Sequence, residues 1–440
     1  MNILDKYNEL LKNSSVIDRE LFENYDIKYG LRNKNNTGVL IGITKIGCVE
    51  GYQEEYDMEH AVKVPIDGKL YYRGLNVLDI IENLRFEKRY YFENVIYLLL
   101  FGNLPTSEEL SEFLLVLKSF RDKDHDFSFT HGSSMTNSLQ MGVLSLYSKD
   151  ENSETFTLEN MLSQSLFIIS VFPEMLVRCY LGDDFDVKKS DELRQNNVST
   201  AKYLLSMLRK DEVTDEEVEL LDIMLLLHAE HGAGNNSTFT VRVMSSAYSD
   251  TYSCISAGIG SLKGHRHGGA NAKVRSMVKN IIENVNYENK LELKEYLRDI
   301  LYKKAFDKSG FIYGIGHAVY TISDPRSVFL KDQAYKLAEK NNAIDKFMLY
   351  KNIEELAIEV FKEEKGENFK ICSNLDLYSG FIYEMLKIDD SLFTSLFSLA
   401  RIPSWCAHRI EQIINDNKII RPSYKSMKYD DVLLTERSRL

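Results

Sequence analysis

A mainly α fold is predicted for this chain by three observations. Most segments place apolar residues at helical spacing, only 6 prolines interrupt 440 residues, and the strand-like runs lie early in the chain. A hydrophobic content of 44% at this length supports one large core, or a large domain with a smaller one inserted.

Taken in order, the N-terminal MNILDKYNELLKNSS is polar and carries acid. It lacks both the apolar core of a secretory signal and the Arg-rich, acid-poor make-up of a transit peptide. Residues 38–50 and 69–73 are rich in β-branched and aromatic side chains between turn formers, which predicts a small sheet or hairpin. A helix follows over Val77–Glu82, then another over Asn94–Phe101 that stops at Gly102; Pro105, Thr106 and two glutamates open the next. Helical spacing returns over Leu110–Phe120, Leu162–Val171 and Ile353–Phe361, whereas 149–159, 183–197 and 362–370 are polar and expected to be surface loops. The longest conspicuous apolar run, Val95–Phe101, is far too short to cross a bilayer. No internal repeat or low-complexity segment stands out.

Net charge is -12 with no long basic stripe, which argues against nucleic acid as the main partner. The 5 cysteines, Cys48, Cys179, Cys254, Cys372 and Cys406, are scattered, odd in number and without a CxxC pair. Neither a disulfide framework nor a zinc site is expected, and such cysteines suit a reducing compartment. A soluble cytoplasmic protein, with no membrane partner, is the expectation.

The chemistry concentrates between Leu225 and Asn271. Apolar residues at helical spacing lead from Leu221 to His231, so His228 and His231, three apart, should share a helix face. Gly232 and Gly234 break that helix, and Asn235, Asn236, Ser237 and Thr238 offer N-caps for a second one that carries Val241, Val243 and Met244 inward. Ser253–Ser261 is nearly all small residues, which lets a third helix pack very close to a neighbour. GHRHGGAN then forms a turn before the helical face of Val274, Met277, Val278, Ile281 and Ile282. With bare backbone at Gly268 and Gly269 and a cap at Asn271, His267 should sit beside free N–H groups at a helix N-terminus. An imidazole so placed stays neutral and donates a hydrogen bond to a developing oxyanion, as the neutral imidazole of triosephosphate isomerase does.

Three polar sites lie downstream. In Tyr313–Tyr320, YGIGHAVY, two glycines before His317 let a ligand approach the main chain. Arg326 follows in SDPR, where Pro325 suits the first helical position and Ser323 or Asp324 the cap. Asp376 is an isolated carboxylate among Leu375, Leu377 and Tyr378, either a helix cap or, if partly buried, a base with a raised pKa. Arg401 lies at an apolar helix end near the sole tryptophan, Trp405, and Arg421 follows in IIRPS; Arg326, Arg401 and Arg421 together suit a small dicarboxylate. The bland readings stand beside these. His228, His265 and His408 read as hydrogen-bonded structural residues, Arg266 as a phosphate contact or a solvated loop charge, and the HxxH pair as no metal site because a third ligand at recognisable spacing is missing.

These motifs together resemble the citrate synthase family, which includes 2-methylcitrate synthases. The resemblance spans nearly the whole chain, from KLYYRGLNVLDI and FENVIYLLLFGNLPT through HAEHGAGNNSTFTVR, GHRHGGAN, GIGHAVY and SDPR to NLDLYSG, LARIPSWCAH and RPS. It implies condensation of acetyl-CoA, or propionyl-CoA in the alternative, with oxaloacetate; a non-catalytic CoA- or dicarboxylate-binding relative is the reading from another class. Asp376, His267 and His317 are implied as catalytic: Asp376 deprotonates the acetyl methyl, His267 binds the enolate oxygen, and His317 polarises the keto oxygen. His231, Arg326 and Arg401 are implied as oxaloacetate ligands, and Arg421 as a ligand reaching across a homodimer. Backbone at Gly314, Ile315 and Gly316 is implied near the adenine of CoA, a cosubstrate rather than a resident cofactor, and no metal is implied. The family fold implies a large helical domain, 1–272 with 383–440, and a smaller one, 273–382, that closes over the active site. The N-terminal segment, helical and without a β-domain, resembles the dimeric members rather than the NADH-regulated hexamers. Departures from the family pattern are Thr321 where a basic residue is usual, Ala318, Ser423 in place of arginine, and His265 in place of proline.

Overall fold

The computed structural model describes residues 20, 22, 25–33, 37–57, 60–87, 90–122, 127, 134–415 and 418–426. The helical reading of the N-terminal segment falls largely outside them. Two compact units are present, Met1–Ile43 with Ile419–Leu440, and Thr44–Lys418. In the first, a short 3-10 turn, Tyr29–Leu31, precedes a bridge between Arg32 and Gly38. The Lys425 ammonium lies 4.7 Å from the centroid of the Tyr25 ring.

The second unit begins with an antiparallel sheet of β1 (Gly47–Asp57), β2 (His60–Tyr72) and β3 (Leu75–Asn76) in that order. The sequence marks only its ends. Residues 52–55 are exposed, and the register shifts between Glu50 and Tyr52, with Tyr52 opposite Pro65. A hairpin bathed by solvent there needs no apolar alternation, so the periodic signal is absent.

Sixteen α-helices follow among the described residues. They are α1 (Val77–Glu87), α2 (Tyr91–Phe101), α3 (Ser107–Arg121), α4 (Met135–Ser145), α5 (Leu158–Leu181), α6 (Val187–Gln195), α7 (Thr200–Leu208) and α8 (Asp215–His228). Then come α9 (Asn236–Ser246), α10 (Thr251–Leu262), α11 (Ala270–Asn284), α12 (Lys290–Leu301), α13 (Pro325–Lys340), α14 (Ile344–Lys365), α15 (Leu375–Met385) and α16 (Phe393–Asn415). The predicted stops and starts hold where local chemistry dictates them. Gly102 ends α2 in the left-handed region, and Thr106 with Glu109 makes a capping box at α3. The expected loop at 183–197 instead contains α6, capped by Asp186 and anchored by buried Ser190, because a short polar helix carries too little apolar period to announce itself.

The core is built around α16, which packs against α2, α5, α8, α9 and α10. The small-residue stretch of α10 meets its expectation: a Cβ on Gly258 would lie 2.9 Å from Val241 and 3.1 Å from Trp405. Of the three residues expected to point inward from α9, Val241 is fully buried and Val243 and Met244 are half-buried; on α11, Ile282 is exposed. A longer apolar helix than Val95–Phe101 exists, since Leu158–Asp184 is long and apolar enough to cross a bilayer. Thirteen of the α5 residues are buried inside the protein, the pattern of a core helix. The boundaries expected at 272/273 and 382/383 lie within α11 and α15.

Candidate active site

The α8 helix ends at His228, not at His231, and this separates the two imidazoles. Gly232 takes φ +83° and its N–H is captured by the Glu230 carboxylate, which turns the chain sharply. His228 stays in the core, its Nδ1 2.7 Å from Met224 O and its ring 4.7 Å from Phe397. His231 is carried the other way, with its ring centroid 4.9 Å from His317 and 5.6 Å from Tyr320. The HxxH pair therefore shares no helix face, and among the described residues no three His, Cys, Asp or Glu side chains gather as a metal site.

His317 is stacked on Tyr320 at 4.5 Å, and the N–H groups of Val319 and Tyr320 both donate to its Nδ1 at 3.0 Å. Since Nδ1 accepts, the ring proton sits on Nε2, which is left as a donor. Burial lowers the His317 pKa to about 4, so the ring is neutral near pH 7.

His267 does lie at a helix N-terminus, but of α9 rather than of the helix that follows it. Its Nε2 accepts from Ser237 N–H at 3.4 Å and lies 3.0 Å from Ser237 Oγ. A backbone N–H can only donate, so the proton is on Nδ1, and burial with Arg401 nearby lowers the pKa to about 4. The expected cap Asn271 lies inside α11 and donates to Ser379 at 2.7 Å, while Gly269 holds the cap position.

Asp376 stands in the first turn of α15, whose cap is Asn374. Asn374 also ties this helix to the His317 loop. Its N–H donates to Gly314 O at 2.9 Å, its Nδ2 to Gly316 O at 2.8 Å, and Ile315 bridges Ser373. The Asp376 Oδ1 is enclosed without a hydrogen-bond partner, and burial pushes its pKa up to about 7.

The two arginines of this unit are held differently. Arg326 donates to Asp324 through Nε at 3.0 Å and Nη2 at 2.8 Å, with both residues buried. Burial would raise the Asp324 carboxyl, but Arg326 overrides it and holds the pKa below its ordinary value. Arg401 lies inside α16 rather than at its end, wholly buried, with Nε donating to His228 O at 2.8 Å and neither Nη group partnered. Burial lowers its pKa to about 10 against the pull of Glu230, which leaves it charged. His231 responds electrostatically to Arg326, His317, Arg401 and His267, and His317 and Asp376 both respond to Asp324 and Arg326. Three imidazoles (His231, His267, His317), two carboxyls (Asp324, Asp376) and two guanidiniums (Arg326, Arg401) thus share one electrostatic neighbourhood, and all come from Thr44–Lys418.

Arg421 is exposed and belongs to the other compact unit. His265 and Arg266 are exposed on the turn, with Arg266 5.8 Å from the Phe311 ring centroid. In the Gly314–Gly316 loop, the N–H groups of Ile315 and Gly316 are already bonded, to Ile312 O at 3.2 Å and Cys372 O at 2.8 Å. Gly314, at φ +86°, would bring a Cβ within 3.0 Å of Leu377. Gly314→Ala is therefore expected to lower stability by about 1–3 kcal/mol, read as a drop in the thermal midpoint by circular dichroism. An unchanged midpoint would contradict the packing described.

Sequence reasoning missed Ser237, Asp324 and Glu230 as contributors to the site. The sequence offers Ser237 and Asp324 only as possible caps. Glu230 has a readable signal, a carboxylate three residues after a run of leucines and between two histidines.

Known proteins resemble this chain in sequence and in fold. The profile described as "Citrate synthase, C-terminal domain" matches residues 36–423. A citrate synthase of Deinococcus radiodurans is 35% identical over 339 residues, covering 75% of this chain and 84% of its own. A 2-methylcitrate synthase of Shewanella oneidensis is 30% identical over 358 residues, covering 80% and 87%. The crystal structure of citrate synthase from Thermotoga maritima MSB8 superposes with a TM-score of 0.70 at 29% identity, covering 94% of this chain and 99% of that one. With a profile match over most of its length and relatives at this identity, the chain belongs to the citrate synthase family.

Proposed function

We propose that this chain condenses acetyl-CoA with oxaloacetate and hydrolyses the resulting thioester to citrate and CoA. The observation that carries this is Arg401, a wholly buried guanidinium with both Nη groups unpartnered. A buried fork of donors left empty has its natural complement in a carboxylate.

Oxaloacetate would sit between Arg401, Arg326 and His231, with its keto oxygen accepting from His317 Nε2–H. The Asp376 carboxylate takes a proton from the acetyl methyl, and the Nδ1–H of His267 donates to the enolate oxygen as charge develops there. The enolate carbon then attacks the keto carbon, and the new alkoxide takes the Nε2 proton of His317, which is replaced by the proton that left the acetyl methyl. Water attacks the thioester carbonyl, the C–S bond breaks, and CoA leaves as the thiol. Both imidazoles are neutral by virtue of burial, so each acts as a hydrogen-bond donor rather than as a cation.

The same reading includes a homodimer in which Arg421 of each copy completes the diacid site of the other, a cytoplasmic location, and the Gly314–Gly316 backbone beside the adenine of CoA. It also includes closure of a smaller lobe, about 273–382, over the larger. An enolate and a thioester need protection from water, and closure supplies it. The Shewanella oneidensis relative keeps propionyl-CoA open as the acyl donor. One methylene changes discrimination by only about 1–3 kcal/mol, set by pocket shape.

Thiol release from acetyl-CoA and from propionyl-CoA, each with and without oxaloacetate, is the test. Release strictly dependent on oxaloacetate is expected, and the ratio of kcat/KM values names the acyl donor. Calorimetric binding of oxaloacetate or CoA with no thiol release from either donor would make this chain a non-catalytic sensor instead.

A further inference from the structure

Beneath the diacid site lies a buried charge network with no part in the chemistry above. Glu230 is 0% exposed, one residue before His231. One carboxylate oxygen accepts the N–H of Gly232, and the other accepts from Ser404 Oγ and faces His408 Nε2 at 3.1 Å. The polarity of the last contact follows from the far side of the ring. Arg242 Nη1, which can only donate, lies 2.9 Å from His408 Nδ1, so the ring proton is on Nε2 and points at Glu230. Arg242 is anchored in turn by Glu411 at 2.8 Å. Ser404 and His408 follow Arg401 by three and seven residues on α16, so all three share the helix face turned toward Glu230. Gly47 makes room, since a Cβ there would collide with the Glu230 carboxylate.

The two substrate arginines differ in one respect. Arg326 has a carboxylate in direct contact, whereas among the described residues Arg401 has none, and Glu230 is the carboxylate that acts on its charge. Burial would raise the Glu230 pKa, but His408, Arg401 and Ser404 bring it to about 2, so the counter-charge is permanent at neutral pH.

We propose that Glu230 is a positioning residue for the diacid, serving as the buried counter-charge of Arg401 and, through the Gly232 N–H, fixing the turn that presents His231. It touches no substrate atom. By lying across from Arg401 rather than bonding to it, Glu230 compensates the guanidinium yet leaves both Nη groups free for a ligand carboxylate. An amide cannot replace it, because in either orientation its NH2 would face a donor, the Gly232 N–H on one side or the His408 N–H, whose tautomer Arg242 enforces, on the other.

This inference rests on the oxaloacetate reading of the site. The test is Glu230→Gln in the full-length enzyme, with oxaloacetate binding followed by calorimetry and both substrates by steady-state kinetics. The oxaloacetate Kd is expected to rise about 10- to 100-fold, the usual cost of losing a supporting contact behind a ligand residue, with the acyl-CoA KM unchanged. In an Arg401→Gln background the same substitution should add little further loss in kcat/KM for oxaloacetate, because Glu230 acts through Arg401. An unchanged Kd, or equal losses in both backgrounds, overturns the proposal. Should Glu230→Gln fail to fold, Ser404→Ala decides: it removes one donor from the carboxylate, so a smaller rise in oxaloacetate Kd supports the role and an unchanged Kd overturns it. Wild-type thiol release that needs oxaloacetate keeps the functional reading intact whichever way these variants fall.

Discussion

Asp376→Asn is expected to cut kcat by about 10²–10⁴-fold, the range for removing a positioned general base. The amide keeps the shape and the place on α15, so oxaloacetate binding should survive while proton abstraction is lost. Basicity is the property at stake. Burial, followed in size by the opposing effect of Arg326 and the added effect of Asp324, pushes the Asp376 pKa up to about 7, unusually high for a carboxyl. A carboxylate with that pKa is a stronger base than an ordinary aspartate and is still about half ionised at neutral pH. The reacting form is the ionised one. The kcat/KM for the acyl-CoA should therefore hold above pH 7 and fall as pH drops through it, ten-fold per unit at the acid end. A wild-type profile flat across pH 7, or an Asn variant with undiminished kcat, would remove Asp376 from the role of base.

Arg326→Gln should be the most damaging single change to stability as well as to oxaloacetate affinity. Arg326 and Asp324 form a two-point contact at 3.0 and 2.8 Å, with side chains 5% and 0% exposed. Removing the cation strands a buried carboxylate, at a cost of about 3–5 kcal/mol. Lysine would not substitute, because one ammonium cannot reproduce two parallel N–H donors. The control is the double variant Arg326→Gln/Asp324→Asn, which removes both charges. Urea unfolding should show it regaining most of the lost stability, while oxaloacetate affinity stays low because the guanidinium is still missing. If the double variant is no more stable than the single one, the buried charge is not what destabilises the protein.

Local signals in the chain were legible where one or two residues settle an outcome. Pro325 at the first helical position and Asp324 as cap define the start of α13, and Gly102 the end of α2. The motif residues His231, His267, His317, Arg326, Asp376 and Arg401 were identified as types suited to the chemistry. The less legible pieces are those whose shape is decided by a distant partner. The helical spacing of Leu221–His231 predicts one continuous helix, yet the chain leaves it at His228 because the Glu230 side chain takes the Gly232 N–H. The pattern 183–197 reads as loop because α6 is anchored by polar contacts, Ser190 to Tyr203 at 2.8 Å and Arg194 to Glu174 at 2.9 Å, rather than by an apolar stripe. Of the hairpin of β1 and β2 the sequence marks only the paired ends, 47–50 and 69–72, because its exposed stretch at 52–55 needs no apolar alternation.

By itself the amino-acid order determined a helical class, its caps and breaks, and an inventory of imidazoles, guanidiniums and one isolated carboxyl, since those depend on neighbours within a turn or two. Tertiary structure decided which of these groups are neutral, paired or empty. His317 is neutral because burial and two backbone donors make it so; Arg326 is paired; Arg401 and Asp376 are left open. Protonation state and unmet hydrogen bonding are properties of an enclosed volume, and its walls come from residues as far apart as Glu230 and His408, 178 positions along the chain.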